Sequence, residues 1–355
     1  MLNRRQWLSL AGSSPMWLAA SAAGAPPAPT PRSQMGITWG TYRLGARASR
    51  RAGDGEAFAN AFNFLGVCQE TGAGGIQVPV QWIEAASPGK VRRAAESAGM
   101  YVEASVSLPR DQGDLSRFQD ALRAARNAGA TVVRASMMNS PRYRTFDSEE
   151  AVNAFAAQSW RSLTLAEPLL RKRRMRLALE NHRDLRLEEL RGFVKRLSSE
   201  FLGICIDPAN GLALLESPMD VVEALAPYAF SVHLKDVAVE EYEHGYRIAE
   251  VALGEGILDL PKIVQFVRQA RPAVTFSLDV IAGDPTEVPF LTDGYWMSLP
   301  KLPGWRVGRT LGWVRQNQRE EALPLVSEMD AEQQLRLEDE NVRTSLAYAV
   351  GTLGF

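Results

Sequence analysis

The chain has 355 residues, of which 46% are hydrophobic and 23% are charged. This balance is ordinary for a globular protein and excludes a disordered, collagen-like or coiled-coil chain. The 40 basic and 41 acidic residues give a formal charge of −1, so no surplus of cations is present to neutralise the phosphates of a nucleic acid. Two cysteines cannot form a disulfide framework, and three histidines are too few for a histidine-rich multinuclear metal centre.

Residues 1–30 have the features of an export signal. Arg4 and Arg5 precede a weakly apolar stretch and then a segment rich in Ala, Ser and Gly, which is typical of a bacterial twin-arginine signal peptide. Two serines and a proline at positions 13–15 interrupt the apolar stretch and make it a poor membrane span. An uncleaved amphiphilic N terminus is the alternative. We therefore expect a periplasmic protein, exported by the twin-arginine pathway, with no membrane span elsewhere in the chain.

Beyond this segment, strand-like runs alternate with amphipathic helical patterns. Several runs are continuously apolar and β-branched, as expected for strands buried on both faces of a parallel sheet. Eight such units predict a (β/α)8 TIM barrel over residues 33–283. An open doubly wound sheet is the alternative, but the sequence WGTYRLGAR after the first strand lacks the glycine-rich phosphate turn of that fold. The predicted strands are 35–42, 75–80, 101–108, 131–138, 176–182, 202–210, 230–237 and 274–280.

Residues 284–355 do not continue this repeat. A segment rich in Pro, Gly and Trp is followed by two helical patterns, which predicts a C-terminal helical extension packed on the barrel. The alternative is a lid or a dimer arm near the mouth of the barrel, for which Tyr295, Trp296 and Trp305 are candidates. A homodimer is compatible with the sequence but is not required by it.

Four consecutive predicted strands end in an ionisable side chain. The carboxyl ends of barrel strands meet at one face, so Glu180, Asp207, His233 and Asp279 are expected to converge there. Three carboxylates and an imidazole without a cation would repel one another, and a divalent ion removes this penalty. Such an oxygen-rich set suits Mn²⁺, Mg²⁺ or Co²⁺, with Zn²⁺ also possible. Taken singly, each residue could instead be a helix cap, an ion-pair partner or a buried core histidine.

Several motifs resemble the sugar phosphate isomerase/epimerase family, whose barrels are xylose isomerase-like and which is grouped with the family-two apurinic endonucleases. The motifs are ALENH (178–182), ICIDPANG (204–211), SVHLKD (231–236), LGEGILDLP (253–261) and SLAYAVGTLG (345–354). The resemblance covers about residues 35–283 and implies a metal held by Glu180, Asp207, His233 and Asp279. The last of these is usually Glu in the family. Asn210 stands where members with three zinc ions carry His, which favours a single divalent ion.

The resemblance implies proton transfer beside a carbonyl group, through an enediolate. Glu180 and Asp279 would exchange the proton, because they come from strands on different sides of the metal. The predicted function is a metal-dependent isomerase or epimerase of a sugar or keto-sugar. A lyase or hydratase acting on an oxidised 3-keto glycoside, a non-catalytic sugar-binding barrel and a metal-dependent hydrolase are alternatives. Export favours an unphosphorylated sugar, because sugar phosphates are cytoplasmic metabolites.

Six further residues are candidates for contact with this substrate. Arginine can bind an acidic group, and tryptophan can stack on a sugar ring. Some of these residues could instead have a structural role. Trp39 could be part of the core, Glu255 an ordinary loop carboxylate, and Lys235 a partner of Asp236 in an ion pair. The six candidates are Trp39, Arg134, His182, Lys235, Arg247 and Glu255.

Overall fold

Eight parallel strands close into a barrel in the computed structural model, which describes residues 33–53 and 55–355. The order around the barrel is β1-β2-β3-β4-β5-β6-β7-β10, with β10 pairing back to β1. This confirms the predicted (β/α)8 barrel, whereas the predicted export signal lies outside the described residues. The strands are β1 Gly36–Thr38, β2 Gly75–Pro79, β3 Tyr101–Ser105, β4 Val132–Ala135, β5 Arg176–Glu180, β6 Leu202–Ile206, β7 Ala229–Leu234 and β10 Thr275–Leu278.

Helices surround the barrel where the 3.6-residue pattern predicts them, and local sequence fixes their ends. Asn60 caps one helix by accepting hydrogen bonds from the backbone N–H groups of Phe62 and Asn63. Gly99 ends another in the left-handed conformation that glycine adopts readily. The barrel helices are α1 Arg43–Ala52, α2 Ala61–Glu70, α3 Val80–Ala86, α4 Pro88–Ala98, α5 Leu115–Asn127, α6 Arg142–Thr145, α7 Glu149–Arg173, α8 Leu187–Leu197, α9 Pro218–Leu225 and α10 Leu260–Ala270.

Alternate residues of each strand point to opposite sides of the barrel wall. One set, such as Ile76 and Val78 in β2, belongs to the main hydrophobic core. The other set contains polar residues, such as Gln77 in β2 and Glu103 in β3, and these are also buried. The barrel interior is therefore polar beneath the strand ends, and this places ionisable groups together at its mouth.

A small antiparallel sheet interrupts the repeat between β7 and α10. It consists of β8 Asp236–Tyr242, β9 Gly245–Val251 and β11 Thr286–Val288, in the order β11-β9-β8. This sheet was not predicted from the sequence, and the predicted seventh strand, which ends at residue 237, overlaps the start of β8. The signal was present as two alternating runs, VAVEEY and YRIAEV, on either side of a short polar turn. Gly245 is required beside this turn, because a Cβ there would overlap with the carbonyl oxygen of Val288.

The C-terminal region packs against the barrel. It contains α11 Asp293–Trp296, α12 Gly304–Asn317 and α13 Ala331–Gly351. Val342 and Leu346 of α13 belong to the main core. Glu338, also in α13, accepts hydrogen bonds from the backbone N–H groups of Leu44 (2.6 Å) and Gly45 (2.7 Å) at the start of α1. Within the described part of the chain, no helix is long and apolar enough to cross a membrane.

The three aromatic residues considered for a lid occupy different environments. Tyr295 is buried and donates a hydrogen bond to the carbonyl oxygen of Ala213 at 3.0 Å. Trp296 donates to the carbonyl oxygen of Phe290 at 2.7 Å, and Trp305 is 61% exposed. None of the three lines the cavity at the strand ends. These positions give no support to the lid interpretation, which stays a prediction.

Candidate active site

The carboxyl ends of β5, β6, β7 and β10 bring the four predicted metal ligands together. Glu180 is the last residue of β5, Asp207 follows β6 directly, His233 lies in β7, and Asp279 follows β10 directly. All four side chains are buried, and Asp207 is completely so. The Nδ1 atom of His233 lies 3.5 Å from Oε1 of Glu180 and 3.6 Å from Oδ2 of Asp279.

Two polar atoms in this cluster form no hydrogen bond. They are Nδ1 of His233 and Oδ2 of Asp207, both buried. Oδ2 of Asp207 still forms an ion pair with Nζ of Lys235 at 3.0 Å. Nδ1 of His233 has no such close partner, and because buried polar atoms without a partner are rare in folded proteins, a missing cation is a direct explanation for it. Glu180, Asp207 and His233 each offer one ligand atom, and these atoms lie within 4.8 Å of one another. Two carboxylate oxygens and one imidazole nitrogen therefore fit a divalent metal ion. Asp279 lies beside this group of three and outside it.

Lys235 lies inside the cluster of carboxylates. It is 3% exposed, and its Nζ atom lies 3.0 Å from Asp207 Oδ2, 3.1 Å from Asp279 Oδ2 and 3.2 Å from Glu250 Oε1. Burial acts to lower the pKa of Lys235, but the three carboxylates outweigh it and hold that pKa well above the usual range. Lys235 does not line the cavity. The structure therefore gives no support to its prediction as a substrate contact, and it forms no ion pair with Asp236.

Asp236 and Glu255 belong to a turn outside the site. The Asp236 carboxylate accepts hydrogen bonds from the backbone N–H groups of Val237, Gly254, Gly256 and Leu258. Glu255 is exposed on this turn and does not line the cavity. The structure thus gives Glu255 no contact with the strand-end cluster, and its prediction as a substrate contact is not supported.

A cavity of about 630 Å³ opens above the cluster at the strand ends. Three predicted substrate contacts line it: Trp39, which packs on Trp82 with ring centroids 5.8 Å apart, Arg134 and His182. Glu180, His233 and Asp279 form part of its floor. A larger hollow of about 1270 Å³ lies at the opposite end of the barrel and contains none of the predicted site residues. The strand-end cavity is therefore the candidate active site.

Arg247 lies away from this cavity. It is in β9, with its guanidinium group 3.2 Å from Glu240, 3.1 Å from Glu287 and over the ring of Tyr242. It does not line the cavity, so the structure gives no support to its prediction as a substrate contact. The sheet formed by β8, β9 and β11 holds Arg247 between carboxylates of the two neighbouring strands.

Comparison with known proteins identifies the family. The family model described as xylose isomerase-like TIM barrel matches residues 65–293. The chain belongs to this family. The 3-oxo-isoapionate decarboxylase of Pectobacterium atrosepticum is 30% identical over 241 residues, which are 66% of this chain and 81% of that protein.

Two solved structures are similar to this chain in fold. The structure of D-psicose 3-epimerase in the presence of D-fructose is 14% identical, with a TM-score of 0.58 over 90% of this chain and 99% of that one. A xylose isomerase-like protein from Mycobacterium smegmatis, solved in complex with magnesium, is 16% identical. Its TM-score is 0.52 over 79% of this chain and 98% of that one. The family model and the 30% identical relative confirm the family predicted from the sequence motifs.

Within this xylose isomerase-like barrel, the two carboxylates expected to exchange protons are held by cations. Burial acts to raise the pKa of Glu180, but Arg134 and His233 outweigh it and hold that pKa well below its usual range. Nε of Arg134 lies 2.5 Å from Oε2 of Glu180. For Asp279, burial is outweighed by Lys235 and His233, and Thr38 donates a hydrogen bond at 2.6 Å, so its pKa is lowered too. Both side chains are therefore weak bases.

Asp207 and His182 differ from these two carboxylates. Complete burial raises the pKa of Asp207 despite the nearby ammonium group of Lys235. Its other oxygen, Oδ1, accepts hydrogen bonds from the backbone N–H groups of Ala209 and Asn210. Burial lowers the pKa of His182 to about 4, so this imidazole is neutral near pH 7.

Several residues that support the site were not among the predicted site residues. Asn210 donates a hydrogen bond to Glu180 at 3.3 Å, and Gln77 contacts His233 at 2.8 Å. Glu250 of β9 holds Lys235 and Arg183. Polar residues inside apolar strand runs mark Gln77 and Glu103 as unusual in the sequence. Glu250 had no such signal, because its position depends on the undetected small sheet.

Proposed function

We propose that this chain is a divalent-metal-dependent enzyme that breaks a bond beside the carbonyl group of an oxidised sugar. The favoured reaction is the loss of CO₂ from a 3-oxo sugar acid. One observation carries this choice: the two carboxylates that line the cavity, Glu180 and Asp279, are both paired with cations and both have lowered pKa values. The relative named as a decarboxylase of a 3-oxo acid supports it.

Glu180, Asp207 and His233 would hold the metal ion, with Asp279 adjacent. Support comes from Nδ1 of His233 and Oδ2 of Asp207, which form no hydrogen bond, and from the closeness of the three ligand atoms. When bound, such an ion supplies Lewis-acid polarisation of a carbonyl group. The oxygen-rich donor set favours Mg²⁺, Mn²⁺ or Co²⁺, with Zn²⁺ as a further choice. The magnesium complex of the Mycobacterium smegmatis protein is consistent with this order.

Loss of CO₂ needs no side chain that removes a proton from carbon. In a 3-oxo acid, the bond between the carboxylate carbon and C2 breaks, and its electron pair moves into the C3 carbonyl to form an enolate. CO₂ leaves, and C2 takes a proton from water. Isomerisation and epimerisation instead require a base positioned at the C–H bond. Carboxylates paired with cations are poor bases, so they suit loss of CO₂ better than isomerisation or epimerisation.

The cavity wall fits an acidic, hydroxylated substrate. Arg134 is 18% exposed, and two of its nitrogen atoms contact Glu180. A guanidinium group has five N–H donors, so the side chain can also face a substrate carboxylate. Trp39 offers an apolar surface for the carbon skeleton, and Asn139, Gln158 and Ser136 offer polar groups for hydroxyls.

The test is turnover in D₂O by protein reconstituted with Mg²⁺ or Mn²⁺. Substrates are 3-oxo aldonic acids and, separately, neutral keto-sugars. We expect CO₂ release from the acids, with one deuterium at the former C2, and no exchange in the neutral sugars. Absence of CO₂ from every acid, with metal bound, contradicts the decarboxylase proposal.

A sugar epimerase is the second candidate, because Glu180 and Asp279 come from different strands and both line the cavity. Its result in the same experiment is deuterium exchange beside the carbonyl of a neutral keto-sugar without CO₂ release. Binding without either product would indicate a sugar-binding barrel.

A pair of arginine variants provides the control. Arg134→Gln removes a cation that lines the cavity, and we expect kcat/KM for the acid to fall about 100-fold, equal to about 2.7 kcal/mol. Arg247→Gln removes a cation held by Glu240 and Glu287 outside the cavity. Unchanged kcat/KM is expected for this variant. Equal losses in the two variants would show that the effect is not local to the cavity.

We also propose export by the twin-arginine pathway, supported by Arg4, Arg5 and the segment that follows them. Cell fractionation tests it. Replacement of both arginines by lysine should retain the protein in the cytoplasm, and unchanged periplasmic yield would contradict the proposal.

A further inference from the structure

A chain of hydrogen bonds runs through the barrel interior beneath the candidate metal site. Glu103 Oε2 accepts a hydrogen bond from Nε2 of Gln77 at 2.9 Å. The Oε1 atom of Gln77 lies 2.8 Å from Nε2 of His233. Gln77 and Glu103 are each 2% exposed, so water does not compete for these contacts. Glu103 thus reaches His233 through a single amide group.

Glu103 is itself fixed by two further donors. Ser231 donates to its Oε2 atom at 2.8 Å, and the hydroxyl of Thr275 donates to its Oε1 atom. No hydrogen bond joins Glu103 to a predicted metal ligand among the described residues. Any effect of Glu103 on the site through hydrogen bonds must therefore pass through Gln77, while its charge also acts on His233 through space.

The donor and acceptor in each of these hydrogen bonds follow from what each group can donate. Burial raises the pKa of Glu103, but three donors face its two oxygens and favour the ionised form. An ionised carboxylate only accepts, so Glu103 selects the amide nitrogen of Gln77 and turns the amide oxygen toward His233. That oxygen also only accepts, so Nε2 of His233 must carry a proton. The other ring nitrogen, Nδ1, is then the atom left to face Glu180 at 3.5 Å.

We propose that Glu103 is a positioning residue that acts through Gln77 to keep a proton on Nε2 of His233 and so reserves Nδ1 for a metal ion. This inference rests on the metal site of the proposed function. Hydrogen bonds to the second nitrogen of a metal-bound histidine set its orientation and tautomer, and their loss typically weakens metal binding about 10–100-fold.

Without the carboxylate, the amide of Gln77 can rotate by half a turn. Its nitrogen would then donate to Nε2 of His233, and the neutral ring would carry its proton on Nδ1. A protonated Nδ1 cannot bind a metal ion. Metal affinity therefore depends on a residue that forms no hydrogen bond with any predicted ligand.

The experiment measures Mn²⁺ and Zn²⁺ affinity by calorimetry on the full-length protein after metal removal. Long-range ¹H–¹⁵N spectra of labelled histidine report, at a pH where the ring is neutral, which nitrogen of His233 carries the proton. In the unaltered protein we expect the proton on Nε2. In Glu103→Leu we expect a mixture of the two tautomers and an affinity about 10–100-fold lower.

Two further variants keep the test decisive if Glu103→Leu folds poorly. The exchange Gln77→Glu with Glu103→Gln places a carboxylate, which only accepts, against His233 Nε2. We expect this double variant to bind metal within about threefold of the unaltered protein. Ser231→Ala removes a donor to Glu103 without touching Gln77, and unchanged affinity and an unchanged spectrum are expected.

The outcomes separate this inference from the proposed function. If the unaltered protein binds neither ion, the metal-dependent function fails, and the spectra still show whether Glu103 fixes the proton on Nε2. If the ions bind but Glu103→Leu keeps the same affinity and spectrum, the positioning role is overturned. Low affinity in the double variant would also overturn it, because the hydrogen-bond direction would then not be the cause.

Discussion

Buried carboxylates occur in two kinds of surroundings in this molecule. At the strand ends, Glu180 faces Arg134 and Asp279 faces Lys235, and both carboxylates have lowered pKa values. On the barrel flank, backbone N–H groups hold Asp236 and Glu338, four for the first and two for the second. Burial raises the pKa of both flank carboxylates, to about 7 for Glu338.

The difference lies in what the partners leave over. Each oxygen of Asp236 accepts two backbone hydrogen bonds, so this carboxylate locks a turn and has little capacity for a further ligand. At the strand ends, Asp207 Oδ2 forms no hydrogen bond, although Lys235 balances its charge. Burial of a carboxylate is therefore not evidence of a site by itself. Stronger evidence is a buried atom that has no hydrogen bond and faces other ligand atoms, as Nδ1 of His233 does.

The largest effect is expected when Asp207 is changed to Asn. The amide can keep the Oδ1 contacts to the backbone of Ala209 and Asn210, but it removes an anionic ligand atom. We expect Mn²⁺ affinity to fall at least about 100-fold, because an amide is a much weaker metal ligand than a carboxylate. The free energy of unfolding without metal should also fall, because the amide no longer balances the buried ammonium group of Lys235, which lies 3.0 Å from Oδ2. Calorimetric titration and denaturant unfolding measure the two quantities.

Asp236→Asn should instead lower the stability of the protein and leave its metal affinity unchanged. Asp236→Asn places an NH₂ group against the backbone N–H groups that the carboxylate now holds, those of Gly254 and Gly256 or of Val237 and Leu258. Buried donors without acceptors cost about 1–3 kcal/mol each, so we expect a loss of about 2–4 kcal/mol in the free energy of unfolding. Metal affinity per folded molecule should be unchanged. If Asp236→Asn weakened metal binding as much as Asp207→Asn, the two carboxylates would not play separate roles.

Most of the fold could be predicted from the sequence, because its signals are local. A run of apolar, β-branched residues such as 202–206 can be buried on both faces only within a covered parallel sheet. Helix ends such as Gly99 are set by their own residue. The small sheet was missed because Asp236 follows Lys235 after β7 with only one residue between two strands of different sheets. Nothing in the local pattern shows that the chain changes sheets there.

The site divides in the same way. Glu180, Asp207, His233 and Asp279 could be identified because each follows or ends an apolar strand. Lys235 also lies at a strand end, but sequence cannot show whether its ammonium group turns to the cavity or to the carboxylates. The pairing of Glu103 with Gln77 depends on neighbouring strands in register, and that information is tertiary. The surroundings of Arg247 could not be predicted for the same reason.

Glu338 should have a smaller effect, on the pH dependence of the free energy of unfolding. The direction of this pH dependence differs from that of the strand-end carboxylates. Its pKa is about 7 in the folded protein against an ordinary value of 4.5. Between these values the folded state binds more protons than the unfolded state, so stability falls as the pH rises through this range. The contribution is on the order of 3 kcal/mol, since the pKa rises by about 2.5 and one pKa unit is about 1.4 kcal/mol.

Glu338→Gln should flatten that part of the stability profile. Denaturant unfolding at intervals from pH 5 to pH 8 measures it, with the unaltered protein losing more stability across the range than the variant. An identical slope in the two proteins would show that Glu338 does not titrate there. Glu180 and Asp279 have lowered pKa values, so their contribution to stability changes with pH in the opposite direction. It is lost as the pH falls, and only below the ordinary pKa of a carboxyl group.

A second effect of pH concerns the exchange of a proton for a metal ion at the strand ends. Burial acts to lower the pKa of His233, but Cys205, Glu180 and Asp279 outweigh it and hold that pKa well above 6.5 when no metal is bound. The metal ion must therefore displace a proton from Nδ1. Below the pKa of His233, Mn²⁺ affinity should fall about tenfold for each pH unit, and above it the affinity should level off.

Calorimetry in two buffers with different ionisation enthalpies counts the protons released on metal binding. One proton per ion is expected near pH 7, and a second would identify Asp207, whose pKa is also raised, as a further source. The Glu338→Gln variant should release the same number, because the protons of Glu338 are exchanged on unfolding and not on metal binding. An affinity independent of pH from 6 to 9, with no proton released, would show that Nδ1 of His233 is not a ligand. The strand-end carboxylates would then resemble those of the flank, as charges balanced within the protein itself.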